Sequence, residues 1–253
     1  MFQNLRVKKN EPCEAADDSI TVRVASYNVE FGRSATPEQI GGMFKPYNLD
    51  IIGFNEAPDG DWTERIGKVL GMQYSYVGKI SSANHKDKYK TILSRAPLEN
   101  TEEYRLEGGC GWIPASTVRA VTRIKGVPIA FYSLHICASG KDDGHAGELA
   151  TDILPKENTK RVIVVGDFNN KIGDPAITTL EQSGMRPTWK DLKLDLSRHF
   201  TWDAFNRGGN EGVIDHIFYN TSSGGQARDG GIIELEKPLS DHKPIWAEIV
   251  FPR

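Results

Sequence analysis

The chain has 253 residues and a mass of 28.1 kDa, with 38% hydrophobic and 26% charged residues. That composition excludes wholesale disorder and supports a sizeable core without disulfides or structural metals. Its 31 basic and 34 acidic residues give a net charge of −3. This argues against a dedicated nonspecific DNA binder, whose affinity comes from released counterions, but leaves room for a local basic rim.

Residues 1–19 read as a polar lead-in, and residues 20–253 as a single domain with no linker. The charged start has no apolar run behind it, so no signal peptide is visible and a cytoplasmic location is favoured. An exported chain trimmed of its signal would look the same. The longest apolar stretches are too short to cross a bilayer. Residues 20–27 (ITVRVASY) alternate as a strand does, and 37–44 read as a helix with Thr36 as N-cap. LDIIGF (49–54) is a buried-strand pattern, followed by an amphipathic helix over 62–70. Short strands are predicted at 74–77, 90–93, 117–124 and 129–135, the last two joined by a hairpin at Lys125-Gly126-Val127-Pro128. Residues 145–153 read as a helix and 161–165 as a strand. A further helix is predicted over 175–182, with Asp174 as N-cap and Pro175 at its first position. The strands close at 213–218 and 245–250. This interleaving predicts an α/β fold with two packed sheets and helices outside.

The three cysteines, Cys13, Cys110 and Cys137, have no metal-ligand spacing and read as buried or incidental thiols of a reducing compartment. A Cys110–Cys137 bridge would fit an exported protein. Chemistry concentrates instead where the apolar runs stop. Asn28 and Glu30 follow the first strand, two apart, so an extended backbone would turn both to one face. Glu56 follows LDIIGF, and His135 ends IAFYSL. Asp167 and Asn169 follow VIVV, Asp215 adjoins IFY, and Asp241-His242 precede the last strand. Strand ends converge on one rim in layered sheets. Carboxylates without cysteine suit Mg²⁺ or Mn²⁺. Amides and imidazoles beside such a metal suit phosphoester hydrolysis. Each residue alone also fits a turn, a cap or a solvated edge, and His85, His145, His199 and His216 are read as structural.

The motifs occur in the order SYNVE (26–30), NE (55–56), TILSRAPL (91–98), SLH (133–135), GDFN (166–169), IDHIF (214–218) and SDHKP (240–244). This series resembles the endonuclease/exonuclease/phosphatase superfamily, with its pancreatic-deoxyribonuclease-like fold, over about residues 20–250. The resemblance implies a four-layer α-β-β-α sandwich of two mixed sheets and a divalent-metal-dependent phosphoesterase using Mg²⁺ or Mn²⁺. It implies Glu56 as principal metal ligand, helped by Asn28, Glu30 and Asp241. Asp167 would orient or deprotonate the attacking water, and Asn169 and His135 would hold non-bridging oxygens. His242 would stabilise the transition state, its imidazole oriented by Asp215. The chain departs from the family pattern at Asn55, where a glutamine is usual, and at 88–91 (KYKT), which lacks the usual small residues.

The expected partner is a phosphoester, DNA or RNA included, met by a monomer without membrane insertion. The short chain leaves little room for long insertions and favours a nuclease or small phosphodiesterase. Lys86, Lys88, Lys90 and Arg95 form a basic stretch fit to track a nucleic-acid backbone or to stand as a solvated loop. Trp112 reads as core. Trp202 lies in a glycine-rich stretch and suits either base stacking or the core. A small-molecule or lipid ester is the alternative substrate, and an inactive binding protein the remaining reading.

Overall fold

A computed structural model describes residues 18–109, 111–138, 140, 142–209 and 212–253. Period-two alternation organises its centre. β1 (Ser19–Asn28) turns Ile20, Val22 and Val24 to one face and Ala25 and Tyr27 to the other. It pairs in parallel with β2 (Ile51–Ala57) and antiparallel with β12 (Ile245–Pro252). With β4 (Tyr89–Ser94), β3 (Tyr74–Val77) and β11 (Gln226–Ile232) they form a sheet of order β11-β12-β1-β2-β4-β3.

The second sheet is built around another parallel pair, β7 (Val127–His135) and β8 (Val162–Asp167). Flanked by β6 (Ala115–Ile124) and β10 (Asp215–Asn220), with β5 (Leu98–Leu106) and β9 (Met185–Pro187) at the edges, it has the order β5-β6-β7-β8-β10-β9. The sheets stack face to face. Val22, Val24 and Ile51 from one meet Phe131, Ile163, Val165 and Ile217 from the other.

Helices cover the outer faces. α1 (Pro37–Phe44) and α2 (Trp62–Leu70) bury Ile40, Phe44, Trp62 and Ile66 against Tyr27, Ile52 and Phe54. α3 (Gly144–Glu148), which widens into a π-helical turn at Leu149–Ile153, and α4 (Pro175–Gln182) cover Tyr132, Val164 and Phe218. The four-layer α-β-β-α arrangement is therefore present.

Local chemistry explains several boundaries. Thr36 Oγ1 accepts from the Gln39 amide while Gln39 Oε1 accepts from the Thr36 amide, a reciprocal cap that starts α1. Gly71, at φ +67°, ends α2. Lys125 and Gly126 both hold positive φ in the two-residue hairpin between β6 and β7, the geometry that matches strand twist. Three strands and α5 (Thr188–Leu192) lack a sequence signal. β5, LENTEEYRL, is a largely exposed edge strand without apolar alternation, β9 has three residues, and β11 carries two glycines and a bulge.

The reading of the cysteines as free thiols is corrected at Cys137, which is disulfide-bonded. Cys13 and Cys110 lie outside the described residues, so the Cys110–Cys137 pairing falls there too.

Gly53, on the inner face of β2, is a point of closest sheet approach: a Cβ there would sit 2.5 Å from Val165 Cγ2 and 2.8 Å from Ser133 Oγ. Gly42, on the exposed side of α1, has nothing within 4 Å of such an atom. Gly53→Ala is expected to destabilise by about 1–3 kcal/mol through overpacking. Gly42→Ala is expected to stabilise by about 0.5–1 kcal/mol. Urea unfolding of the two variants beside the parent protein checks both signs.

Candidate active site

The inner-face alternation that builds the core changes chemistry at one end. In register, β1 runs Val22, Val24, Ser26, Asn28, and β2 runs Ile51, Gly53, Asn55. β7 runs Phe131, Ser133, His135; β8 runs Ile163, Val165, Asp167; β10 begins at Asp215. His135 lies beside Asp167, and Asp167 beside Asp215, in adjacent strands. The parallel pairs of the two sheets thus end together, and their last inward residues meet at the carboxyl ends of the strands.

Asp167 is the hub. Asn28 Nδ2 donates to its Oδ2 at 2.9 Å, and the Asn169 amide donates to Oδ1 at 2.9 Å. His135 Nε2 and His242 Nε2 each lie 3.5 Å from Oδ2. Behind His242, Asp215 Oδ2 stands 2.9 Å from Nδ1. Asn55 anchors the same residue through the backbone: its Oδ1 accepts from the Asp167 amide at 3.0 Å, and its Nδ2 donates to Leu134 O at 2.6 Å. Gly166 makes the approach possible, since a Cβ there would lie 2.1 Å from Leu134 O.

Glu30 and Asn169 reach the site by tight turns, not by the continued strand expected of residues two apart. β1 stops at Asn28, and Glu30 has φ +46°; Asn169 has φ +50°. Asn169 Nδ2 donates to Ile136 O and lies 3.3 Å from His135 Nε2. Glu56 also sits at positive φ, in a bulge of β2 against β4.

These groups open on one cavity of about 490 Å³ lined by Asn28, Glu30, Glu56, His135, Asp167, Asn169, Asp241 and His242, with Lys88, His85, Phe31, Trp112 and Trp202 among its walls. Burial disfavours a charged His242, but the Asp215 and Asp167 carboxylates outweigh it and raise the imidazole to about 10. Burial, with Asp215 nearby, pushes Asp167 up in spite of His242. His135 is driven the other way by burial and by the cations Lys90 and Lys88, so it is a neutral imidazole. The site therefore pairs one imidazolium with carboxylates and keeps a second imidazole uncharged.

Two members of the predicted basic stretch are corrected. Lys90 is fully buried and donates to Ile80 O and Ser82 Oγ. Arg95 donates to Leu49 O, next to the Ile51–Ser94 pairing at the far end of β2 from Glu56. Alternation puts Lys90 inside, and the strand's length carries Arg95 away. Lys88 does reach the cavity, with Nζ 2.9 Å from Glu56 Oε1, while Lys86 is exposed outside the lining. Trp202 lines the cavity and its backbone bridges to His242. Trp112, read as core, packs its ring at a tilt against His135, centroids 4.9 Å apart, and forms part of the wall. His85, read as structural, is exposed on the rim. His216 is structural: Trp189 Nε1 donates to its Nδ1, and its Nε2 faces Asn170 O. Phe31 and Trp112 carried no motif, and only the fold brings them to the strand ends.

The donor set suits a hard cation. Glu56 lines the cavity, and its Oε2 accepts no hydrogen bond from the described residues. Glu30, Asp167 and Asp241 add carboxylate oxygens, and no described thiol faces them. Asp167, Asp215 and His242 also form a compact group, with one candidate ligand atom from each within 4.8 Å of the others. Asp215 is committed there to the imidazole, so that trio reads better as a proton-holding pair beside a carboxylate than as a ligand set.

The model of the endonuclease/exonuclease/phosphatase family matches residues 25–242. The chain belongs to that family. Its structure is similar to the family's protein from Bacteroides vulgatus, with TM-score 0.72 and 19% identity over 91% of this chain and 98% of that one. It is likewise similar to the mannosyl-6-phosphatase Bt3783 of Bacteroides thetaiotaomicron, with TM-score 0.68 and 19% identity over 91% and 100%. D. rerio TDP2, solved with a single-strand DNA product, gives TM-score 0.69 and 15% identity over 90% and 98%. No curated protein matches by sequence. At these identities the structural likenesses establish the fold. Among the described residues, no helix is long and apolar enough to cross a membrane.

Replacing Asp215 by Asn should return the His242 imidazole toward its ordinary value of about 6.5. Protonated His242 stabilises the folded state fully below about pH 6.5, and that contribution fades as the pH climbs to about 10. The melting-temperature advantage of the parent over Asp215→Asn is therefore expected to be largest near pH 6 and to shrink toward pH 10. Thermal unfolding across that range, with NMR titration of His242, checks both shift and sign.

Proposed function

We propose that the chain is a divalent-metal-dependent phosphoester hydrolase, acting on a phosphodiester by in-line attack of water. The observation that carries this reading is the Asp167 carboxylate, set by Asn28 and the Asn169 amide and faced by His135 and by the Asp215-backed His242. Glu56, with Asp241, Glu30 and Asn28 around the same cavity, would hold Mg²⁺ or Mn²⁺. When bound, that ion would neutralise phosphoryl charge and lower the pKa of a coordinated water. Asp167, pushed up by burial, accepts and holds a proton from the attacking water. Asn169 and neutral His135 donate to non-bridging oxygens, and the His242 imidazolium faces the negative charge that develops during attack.

A nucleic-acid substrate fits the phosphodiesterase reading. A second reading, a small phosphoester such as a sugar phosphate, is favoured by one observation: Lys90 is engaged inside the protein and Arg95 is held at the far end of β2, so neither supplies a backbone-tracking cation at the cavity. The disulfide at Cys137 supports an oxidising compartment over the cytoplasm.

Turnover of bis(p-nitrophenyl) phosphate and p-nitrophenyl phosphate with Mg²⁺, Mn²⁺ or EDTA tests the proposal. Metal-dependent turnover is expected, and Asp167→Asn or His242→Ala should lose at least about 10²–10³-fold while remaining folded. Undiminished turnover in Asp167→Asn would remove that residue from the water-activating role. Preference between the two esters separates the readings.

A further inference from the structure

The residue just before β4, Lys88, turns its charge into the cavity. Lys88 Nζ lies 2.9 Å from Glu56 Oε1 and 4.8 Å from the centroid of the Phe31 ring. Its side chain is 19% exposed and that of Glu56 11%, so this ion pair sits inside the cavity and not on a solvated rim. The Lys88 amide donates to Ser81 Oγ at 3.1 Å, which ties its backbone to the cavity wall that includes Ser82 and Ala83. His135 Nε2 approaches the same Glu56 oxygen at 3.9 Å. The ammonium and the imidazole read as a phosphoryl donor thus approach the same oxygen of the carboxylate read as principal metal ligand.

We propose that Lys88 is a built-in counter-ion of Glu56 that competes with the divalent cation and, once displaced, binds a phosphoryl oxygen of the substrate. The proposal rests on the reading of Glu56 as a metal ligand. Two cations cannot both neutralise one carboxylate at contact without repelling each other, so loading the metal drives the ammonium off Oε1. Lys88 has a flexible four-carbon stem, and Phe31 offers its ring face along the way. An anionic phosphoryl group entering the cavity offers the freed ammonium a new acceptor. The same residue therefore weakens metal binding to the free protein and strengthens phosphate binding to the loaded one.

The opposed signs make the test specific. Mn²⁺ is titrated calorimetrically into the metal-free parent, Lys88→Met, Lys88→Arg and Glu56→Gln proteins. Inorganic phosphate is then titrated into each Mn²⁺-loaded protein. Lys88→Met is expected to bind Mn²⁺ about tenfold more tightly and phosphate about tenfold more weakly, the effect of one charge-assisted hydrogen bond in each state. Lys88→Arg, which keeps the charge, should stay near the parent in both titrations. Unchanged or weaker Mn²⁺ binding by Lys88→Met overturns the competition, and unchanged phosphate affinity overturns the delivery. If Glu56→Gln binds Mn²⁺ as the parent does, Glu56 is not the metal ligand and the proposal falls with that assignment. A loss confined to Glu56→Gln leaves the assignment standing and refutes the role of Lys88 alone.

Discussion

Two asparagine amides hold the sheets together at the end where the apolar core stops. Asn28 Nδ2 crosses to the Asp167 carboxylate, and Asn55 grips both the Asp167 amide and the Leu134 carbonyl. Elsewhere the sheets meet mainly through Val, Ile and Phe, which pack without directional demands. Here the buried amides and the Asp167 carboxylate need directed partners, and one such group left unsatisfied would cost about 1–3 kcal/mol. The requirement fixes how closely the sheets lie, and Gly53 supplies the room between them while Gly166 lets β8 lie close along β7. Stability and site geometry therefore depend on the same contacts.

Those contacts also decide how the site carries its charge. Asp167 and Asp215 are both buried, and bare they would repel each other and lose hydration. His242 lies between them and takes the proton that makes the trio tolerable. His135, facing the cations Lys88 and Lys90 with no carboxylate bonded to Nδ1, stays neutral. Two histidines on the same carboxylate thus assume different charge states because of what stands behind each. Environment, more than residue type, divides the roles.

Much of this was legible in the sequence because period-two alternation and site chemistry coincide. The inward residues of β1, β7 and β8 read as apolar runs that end in Asn28, His135 and Asp167, so the convergence of strand ends followed from pattern alone. The helices at 37–44, 62–70 and 175–182 were equally plain, since caps and apolar faces are local. The edge strands β5, β9 and β11 were not. β5 and β11 are held by hydrogen bonds to a neighbour and bury little, so their sequences carry no amphipathic signature. The basic stretch misled for a related reason: charge alternation along 86–95 says nothing of which lysine faces inward, and Lys90 is satisfied by carbonyl and hydroxyl oxygens deep in the protein. Trp112 and Phe31 were silent because their meaning lies in partners distant along the chain.

The strand ends supply the chemistry and the turns beyond them supply the access. Glu30, Phe31, Glu56, Ala83, Asn84, Asp87 and Asn169 all sit at positive φ without being glycine, a conformation that surrounding contacts must enforce. Five of these seven line the cavity, and the other two flank its rim on the 82–88 turn. Such turns bend the chain back over the strand ends and narrow the approach to Asp167, while the sheet frame below is shared by proteins described as a mannosyl-6-phosphatase and as TDP2 bound to a DNA product. Under the proposed reading, selectivity among phosphoesters would fall to the turns and to Lys88, Trp112 and Trp202, which line the same cavity. The frame itself fixes only Asp167 between two imidazoles, one backed by Asp215 and one not, and that asymmetry is what the turns enclose.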